Sequence, residues 1–283
     1  MKLEEINIRD PFVLVHEGTY YLTGTRASTT WTDHADGFDG YYSTDLVNWE
    51  GPVELFHKPE DFWADKCYWA PEIHSYQGAF YILATFANSK DDKKGTMILK
   101  ADSPLGPYHV HSDGKITPEP WQCLDGTLYV DKAGDPWMVF SHEWTDLGNG
   151  QICAVQLSSD LTRSVGTPRA LFQASDASWG TSIRNRQWNG PIYVTDGPFL
   201  WRNEQDELLM LWATFGEHGY AEAIARSDNG DISGRWTVDD TPLFSEDGGH
   251  GMLFRTLEGK TKLVLHQPNT TLQEHPVFID VDL

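Results

Sequence analysis

The chain has 283 residues, of which 40% are hydrophobic and 13% aromatic, and its formal net charge is −21. That much apolar material can build a large core and argues against disorder. An acidic surface repels phosphate backbones and anionic lipids, so nucleic acid and membrane are poor partners, whereas a neutral substrate is compatible with the charge.

The three cysteines, Cys67, Cys123 and Cys153, are too few and too scattered for a disulfide framework or a zinc knuckle. The first residues lack the apolar segment of a signal peptide, and no run of about 18 apolar residues is available to cross a bilayer. We therefore expect a soluble, cytoplasmic protein. The sequence does not indicate an oligomeric state.

Short runs of β-branched and aromatic residues alternate with Gly, Pro, Asn and Asp along the chain, and no long segment has the helical period of 3.6. Five segments share one layout, in which a polar residue beside Gly or Pro precedes a strand, a polar turn and a second, aromatic-rich strand. In chain order they start at Arg9, Ala70, Leu124, Thr195 and Gly248. Four of them are followed by a further strand and turn.

A repeat of about 50 residues with up to four short strands predicts an all-β fold, a five-bladed β-propeller, with residues 1–283 as a single domain. The polar residues that open the five repeats are Asp10, Glu72, Asp125, Asp196 and His250. Because the first strand of each blade lines the central channel, we expect all five side chains to meet at one channel mouth.

An Asp before Gly or Pro is most often turn chemistry, in which the side chain bonds to nearby backbone. Turn formation does not, however, require four carboxylates at one channel mouth, where they repel each other. Such a cluster is typical of catalysis or of a cation site.

Paired carboxylates between aromatic walls suit glycoside hydrolysis, in which one carboxylic acid protonates the leaving oxygen and a carboxylate activates water or attacks the sugar. Trp31, Trp69 and Trp144 lie near the predicted site. Each could stack on a sugar ring or fill the space between blades.

The motifs that carry a family resemblance are "IRDPF" near the start, "WAPEIH" at 69–74, "LDGT" at 124–127, "TDGP" at 195–198 and "GGHGM" at 248–252. Taken together they resemble glycoside hydrolase family 43 over essentially the whole chain. The resemblance implies a five-bladed propeller and an inverting glycosidase, with α-L-arabinofuranosidase, β-xylosidase, arabinanase and galactan-directed activities in the family.

By this resemblance Asp10 is the general base, Asp196 is the general acid, and Asp125 orients the acid and tunes its pKa. Glu72 is implied to line the site near the base, and Trp69 and Trp144 to contact substrate. His250 is implied to sit at the channel centre, where it contacts substrate, a water or a metal ion, commonly a structural calcium. No cofactor is required for the chemistry.

One residue departs from the family pattern, because the general acid is usually Glu before Gly-Pro and this chain has Asp196. Its side chain is shorter by about one methylene, and acid catalysis is sensitive to reach. The backbone advancing, another acid such as Glu143 or Glu217 serving, or loss of activity would each account for the change. We favour the first.

The expected activity is exo-hydrolysis of short, neutral plant-type oligosaccharides by an α-L-arabinofuranosidase. The alternatives are a β-xylosidase, a galactan- or galactofuranoside-directed hydrolase, and a non-catalytic sugar-binding propeller. An invertase-type enzyme is disfavoured because Arg9-Asp10-Pro11 stands at the start rather than mid-chain. The loop at residues 29–40 is expected to shape the sugar pocket.

Overall fold

The computed structural model describes residues 1–32, 34–185 and 188–283, and these form five antiparallel sheets arranged as a β-propeller. The predicted all-β, five-bladed fold is confirmed. Strands follow each other in chain order within every sheet, so each blade is a meander that one stretch of sequence completes. In the described ranges, the helical elements are α1 (Trp144–Leu147) and two short 3-10 turns. None of these helices is long and apolar enough to cross a membrane.

The strands of each blade run in chain order from the channel outward. Blade 1 has β1 (Ile8–His16), β2 (Thr19–Arg26), β3 (Gly37–Ser43) and β4 (Glu50–His57). Blade 2 has β5 (Lys66–Tyr76), β6 (Ala79–Ala87), β7 (Gly95–Ala101) and β8 (His109–Val110). Blade 3 has β9 (Cys123–Val130), β10 (Pro136–His142), β11 (Gln151–Leu157) and β12 (Ser164–Gln173). Blade 4 has β13 (Asp196–Arg202), β14 (Leu208–Gly216), β15 (Gly219–Ser227) and β16 (Trp236–Val238). Blade 5 has β17 (Gly249–Arg255), β18 (Thr261–Gln267) and β19 (His275–Asp280).

Each sheet packs both of its faces against the sheets of the two neighbouring blades. The aromatic-rich second strands contribute side chains to these contacts. One apolar cluster fills each of the five interfaces between blades. Representative members, from the blade 1–2 interface round to the blade 5–1 interface, are Phe38 and Phe86, Leu83 and Phe140, Phe172 and Trp212, Leu211 and Leu253, and Tyr20 and Phe254. Burying a side chain of this size contributes about 1.5–3 kcal/mol.

Blade 5 has three strands where the other four blades have four. The first residues of the chain pack beside it. Asn7 donates side-chain hydrogen bonds of 3.3 Å and 2.7 Å to the carbonyls of Leu272 and Glu274. These contacts help to close the ring between the last blade and the first.

A bulge interrupts the inner strand of every blade near the start of the strand. In β1 the pairing with β2 shifts between Arg9 and Phe12, and corresponding shifts occur in β5, β9, β13 and β17. A bulge turns a side chain out of the regular alternation of the strand. The five bulges therefore aim residues of all five blades at one end of the channel.

The residues with positive φ at the five bulges are Asp10, Ala70, Asp125, Gly197 and His250. The sequence repeats had instead matched Glu72 and Asp196 with Asp10, which was wrong for both positions. Glu72 lies two residues after the bulge position of its blade, and Asp196 lies one residue before. The mismatch arises because the repeats were matched on their ionisable residues, whereas the register of a strand is set by its pairing with the next strand.

Candidate active site

Asp10 is buried at the mouth of the channel and is held from several sides. Its Oδ2 accepts a hydrogen bond of 2.7 Å from Thr25, and its Oδ1 lies 3.3 Å from Nε of Arg9. Its main-chain N–H donates to Nδ1 of His266 at 3.1 Å. Burial by itself would raise the pKa of Asp10, but His250, Arg9 and the Thr25 hydroxyl together hold it well below its usual value. Asp10 is therefore an ionised carboxylate.

His250 lies between the carboxylates of two blades. Its Nδ1 is 3.2 Å from Oδ1 of Asp10 and 3.8 Å from Oδ2 of Asp125. Burial lowers the pKa of His250, but the charges of Asp10, Asp125, Asp196 and Glu72 outweigh burial and raise it. The imidazolium form is favoured, and its charge offsets the repulsion among the carboxylates.

Asp125, which is buried, and Asp196, which is partly exposed to the cleft, form a second carboxyl pair beside His250. Burial, followed by repulsion from Asp196 and Asp10, raises the pKa of Asp125 to about 8. Burial is also the main cause that raises the pKa of Asp196 to about 6, and Glu143 adds to the increase. Near neutral pH the pair of Asp125 and Asp196 therefore carries one proton in total, whereas Asp10 carries none.

Tyr220 and Gly197 fix the positions of this pair. The Tyr220 hydroxyl donates a hydrogen bond of 2.9 Å to Oδ2 of Asp196. Burial and the nearby carboxylates raise the pKa of Tyr220 well above its usual value, so the phenol remains a donor. The main-chain N–H of Gly197, which follows Asp196 directly, donates to Oδ2 of Asp125 at 3.1 Å.

Hydrogen bonds between neighbouring blades hold the bulge residues in a ring. The hydroxyls of Thr25 and Thr85 accept the N–H groups of Ala70 and Asp125 in the next blade, at 2.7 Å and 2.8 Å. Ala213 has no side chain that could accept in this way, and the buried Glu222 beside it accepts from the N–H of Gly251 at 2.9 Å instead. These bonds stabilise backbone conformations that cost free energy for residues other than glycine.

A cleft of about 250 Å³ opens over these carboxylates. Its lining includes Arg9, Asp10, Trp31, Trp69, Asp125, Glu143, Trp144, Phe215, Asp196, Tyr220 and His250. Trp31 is 58% exposed, and its ring contacts that of Trp69 edge-on at a centroid distance of 5.4 Å. The site therefore combines paired carboxylates with aromatic walls. Asp33, in the loop expected to shape the pocket, lies outside the described residues.

The structure brings Asp10, Asp125, Asp196, His250, Trp69 and Trp144 to this cleft. Glu72 is not among the described residues that line it, and its Oε2 lies 2.8 Å from Nε2 of His74. Of the two alternative acids, Glu143 lines the cleft, whereas Glu217 is exposed at the turn between β14 and β15.

Four residues of the site were not expected from the sequence, namely Arg9, Thr25, Tyr220 and His266. Arg9 directly precedes Asp10, and an arginine inside a buried strand is a signal that could have been used. Thr25 and Tyr220 follow the apolar pattern of ordinary strands. His266 is fully buried in β18, where burial lowers its pKa to about 3, so its neutral ring can accept the N–H of Asp10.

A calcium at the channel centre requires several oxygen ligands around one point. Among the described residues, no group of three or more His, Cys, Asp or Glu side chains is arranged to hold a metal ion. Nδ1 of His250 is already directed at Asp10 and Asp125. We therefore derive no catalytic step through a metal, and the structural calcium stays a prediction.

Comparison with known proteins agrees with this site. A family model of glycosyl hydrolases family 43 matches residues 5–278. A solved endo-arabinase from Bacteroides thetaiotaomicron VPI-5482 is 37% identical with a TM-score of 0.91, and the match covers 100% of this chain and 97% of that one. The extracellular exo-α-(1→5)-L-arabinofuranosidase of Cellvibrio japonicus (strain Ueda107) is 24% identical over 300 residues, which is 93% of this chain and 79% of the relative.

A solved endo-1,4-β-xylanase from Bacteroides thetaiotaomicron VPI-5482 shares the fold at 22% identity and a TM-score of 0.76, covering 99% of this chain and 91% of that one. The family match makes this chain a glycoside hydrolase, and the carboxyl groups and aromatic walls at the channel mouth agree with that class. The protein belongs to glycosyl hydrolases family 43. The Cellvibrio relative is extracellular, so it gives no support to the cytoplasmic location expected from the sequence.

Proposed function

We propose that this protein is an inverting, exo-acting α-L-arabinofuranosidase that removes arabinosyl residues from short, neutral oligosaccharides. The observation that carries the proposal is the protonation pattern of the carboxyl groups at the channel mouth. Asp10 is held ionised, while the coupled pair of Asp125 and Asp196, with pKa values raised to about 8 and about 6, retains one proton near neutral pH that Asp196 can donate. A base without a proton and an acid with one are the pair that inverting hydrolysis requires.

In this mechanism Asp10 accepts a proton from a water molecule as the water oxygen bonds to the anomeric carbon. Asp196 donates its proton to the glycosidic oxygen as the bond from that oxygen to the anomeric carbon breaks. The electron pair of the broken bond stays on the leaving oxygen, and the anomeric centre is inverted. The cation of His250, beside Asp10 and Asp125, limits the repulsion between the carboxylates through the reaction.

Asp125 and Tyr220 position the acid. Asp125 holds the backbone that directly follows Asp196, and Tyr220 holds one oxygen of the Asp196 carboxyl. A short acidic side chain in place of the family's usual Glu needs this support, because acid catalysis depends on reach.

Two observations support arabinosyl substrates and exo action. The endo-arabinase of 37% identity and the curated arabinofuranosidase are both named for arabinose-containing substrates. The cleft, at about 250 Å³, is smaller than the roughly 300–1,000 Å³ that holds drug-sized ligands, which favours the end of a chain over a polymer segment.

Turnover of aryl glycosides tests the sugar. The α-L-arabinofuranoside should be hydrolysed fastest in a panel with the β-xyloside, β-galactoside and β-galactofuranoside. A dominant rate on the xyloside or on a galactoside would replace the arabinosyl assignment by one of those activities. Linear α-(1→5)-linked arabino-oligosaccharides test the mode of attack, since exo action releases arabinose from the start, whereas endo action first releases shorter oligosaccharides.

Proton NMR of the first-formed product tests the stereochemistry. An α-linked substrate should release the β-anomer before mutarotation. Release of the α-anomer would refute the roles of Asp10 and Asp196, since retention requires a nucleophilic carboxylate instead of a base that activates water.

A further inference from the structure

The ion pair between Glu143, which lines the cleft, and Lys94 has no part in the mechanism above. Glu143 follows β10 and Lys94 precedes β7, so the pair joins blades 3 and 2. Nζ of Lys94 lies 2.9 Å from Oε2 of Glu143, and the two side chains are only 12% and 11% exposed. Removing two charges this far from water is costly, and an apolar pair often serves the fold as well.

The remaining contacts of Glu143 hold its carboxylate in one orientation. Thr145 donates a hydrogen bond of 2.7 Å to Oε2, the oxygen that also meets Lys94. In the described part of the chain, both side-chain contacts of Glu143 thus use Oε2. The carboxylate lines the cleft together with Trp69 and Asp196, which gives it access to a bound sugar.

The ion pair also determines whether Glu143 can donate or only accept a hydrogen bond. In its ion pair with Lys94, Glu143 is a carboxylate, and a carboxylate accepts hydrogen bonds but has no proton to give. Asp196 has the opposite setting, because burial raises its pKa to about 6. Glu143 is thus suited to binding hydroxyl groups, and Asp196 to donating a proton.

The position of Glu143 in the cleft determines which sugar of the substrate it can contact. Glu143 and Asp196 line the same cleft, and the charge of Glu143 raises the pKa of Asp196. In the proposed mechanism Asp196 protonates the glycosidic oxygen, and that oxygen stays with the leaving sugar. Nζ of Lys94 lies 6.0 Å from the ring centroid of Trp69, so the ion pair lies beside an aromatic ring that lines the cleft.

We infer that Glu143, held by Lys94 and Thr145, binds hydroxyl groups of the leaving sugar and thereby selects a carbohydrate over an aryl leaving group. This inference rests on the proposed function of the same cleft. A carboxylate forms stronger hydrogen bonds with hydroxyls than a neutral acceptor does. An aromatic wall beside it can contact the apolar face of the same ring.

Steady-state kinetics of Glu143→Gln on two substrates test the inference. For an α-(1→5)-linked arabinobioside, KM should rise by about tenfold, the loss expected for a hydrogen bond to a charged group. For an aryl α-L-arabinofuranoside the rise should be several-fold smaller, because that leaving group has no sugar hydroxyls. Glu217→Gln, at an exposed turn outside the cleft, is the matched control and should change neither KM. An equal rise in KM on both substrates would overturn the inference.

The pH dependence of kcat/KM is a second test, because a residue with only a structural role would leave it unchanged. Loss of the negative charge of Glu143 should lower the pKa of Asp196, so the alkaline limb of kcat/KM should move to lower pH in Glu143→Gln. Lys94→Met leaves the charge of Glu143 uncompensated and should move that limb to higher pH. An unmoved limb in both variants would also overturn the inference.

A third outcome separates this inference from the proposed function. If Glu143→Gln lost kcat on the disaccharide but not on the aryl substrate, and also lost the alkaline limb, Glu143 would be the general acid. That result would overturn both the binding role of Glu143 and the assignment of Asp196. If the unmodified enzyme hydrolysed neither substrate, the proposed function would fail by itself.

Discussion

The main-chain N–H of Gly197 donates a hydrogen bond of 3.1 Å to Oδ2 of Asp125, across the interface between blades 3 and 4. Gly197 directly follows Asp196, so this bond links the backbone of the proposed acid to the carboxyl group of Asp125. The same residue has a φ of 52°, and a Cβ added to it would lie 2.5 Å from Cδ2 of His250. Gly197 thus permits the close approach of three catalytic side chains.

Replacing Gly197 by Ala should reduce kcat by at least about 100-fold, because the new methyl group must displace His250 or the acid. Gly18→Ala is the matched control, since Gly18 also has a positive φ but no neighbour within 4 Å of an added Cβ. Both variants should lose about 1–2 kcal/mol of stability from backbone strain. Activity assays and urea unfolding separate the two effects, and near-normal kcat in Gly197→Ala would contradict the close packing of Gly197 against His250.

Thr25→Val should move the acidic limb of kcat/KM to higher pH. The Thr25 hydroxyl donates to Asp10 and lowers its pKa, so its loss raises the pKa of the base. Thr25→Ser keeps the hydroxyl and should keep the acidic limb in place. Valine also leaves the N–H of Ala70 without its acceptor, at a cost of about 1–3 kcal/mol. An identical acidic limb in the Val and Ser variants would show that Thr25 does not tune the base.

Asp125→Asn should move the alkaline limb of kcat/KM to lower pH and reduce activity. The limb follows loss of the proton from Asp196, whose pKa is about 6 in the free enzyme. Asp125 and Asp196 repel each other when both are ionised, so a neutral amide in place of Asp125 removes this repulsion and lowers the pKa of the acid. A pH series of kcat/KM measures the shift. Displacement of the limb toward higher pH would mean that Asp125 does not raise the pKa of Asp196.

Glu222→Gln should make the free energy of unfolding less dependent on pH. Burial raises the pKa of Glu222 from 4.5 to about 8 in the folded protein. The folded state therefore keeps a proton that the unfolded chain releases, and stability falls as the pH rises from about 4.5 to 8. Glutamine keeps an acceptor for Gly251 without this loss. Urea unfolding at pH 5 and pH 7.5 should show a smaller difference for the variant than for the unmodified protein, and an equal difference would refute the protonated state.

The fold could be predicted from the sequence because its period is built from local signals. Each blade repeats strand, turn and aromatic strand, and apolar residues of the second strands, such as Phe86 and Trp212, mark the interfaces between blades. Asp10 and Asp125 could also be placed, since both stand at the bulges that direct side chains toward the channel mouth.

The remaining parts of the site depend on contacts between residues that are far apart in the chain, which no local pattern encodes. Tyr220 is 24 residues from Asp196 and looks like a core aromatic, yet its hydroxyl reaches the acid. Lys94 and Glu143 belong to different blades and come into contact only when blades 2 and 3 pack together. The alignment of Glu72 and Asp196 with Asp10 failed for a related reason, because a shift of one or two residues in a strand is visible only in the pairing.

The most direct test of the central claim is the rate of Asp196→Ala on two leaving groups. If Asp196 is the general acid, hydrolysis of an α-(1→5)-linked arabinobioside should fall by about 100- to 10,000-fold, because its leaving oxygen needs a proton. An activated aryl α-L-arabinofuranoside needs little protonation and should lose far less rate, whereas Asp10→Ala should impair both substrates alike. Equal losses on both substrates in Asp196→Ala, or no loss on either, would contradict the assignment.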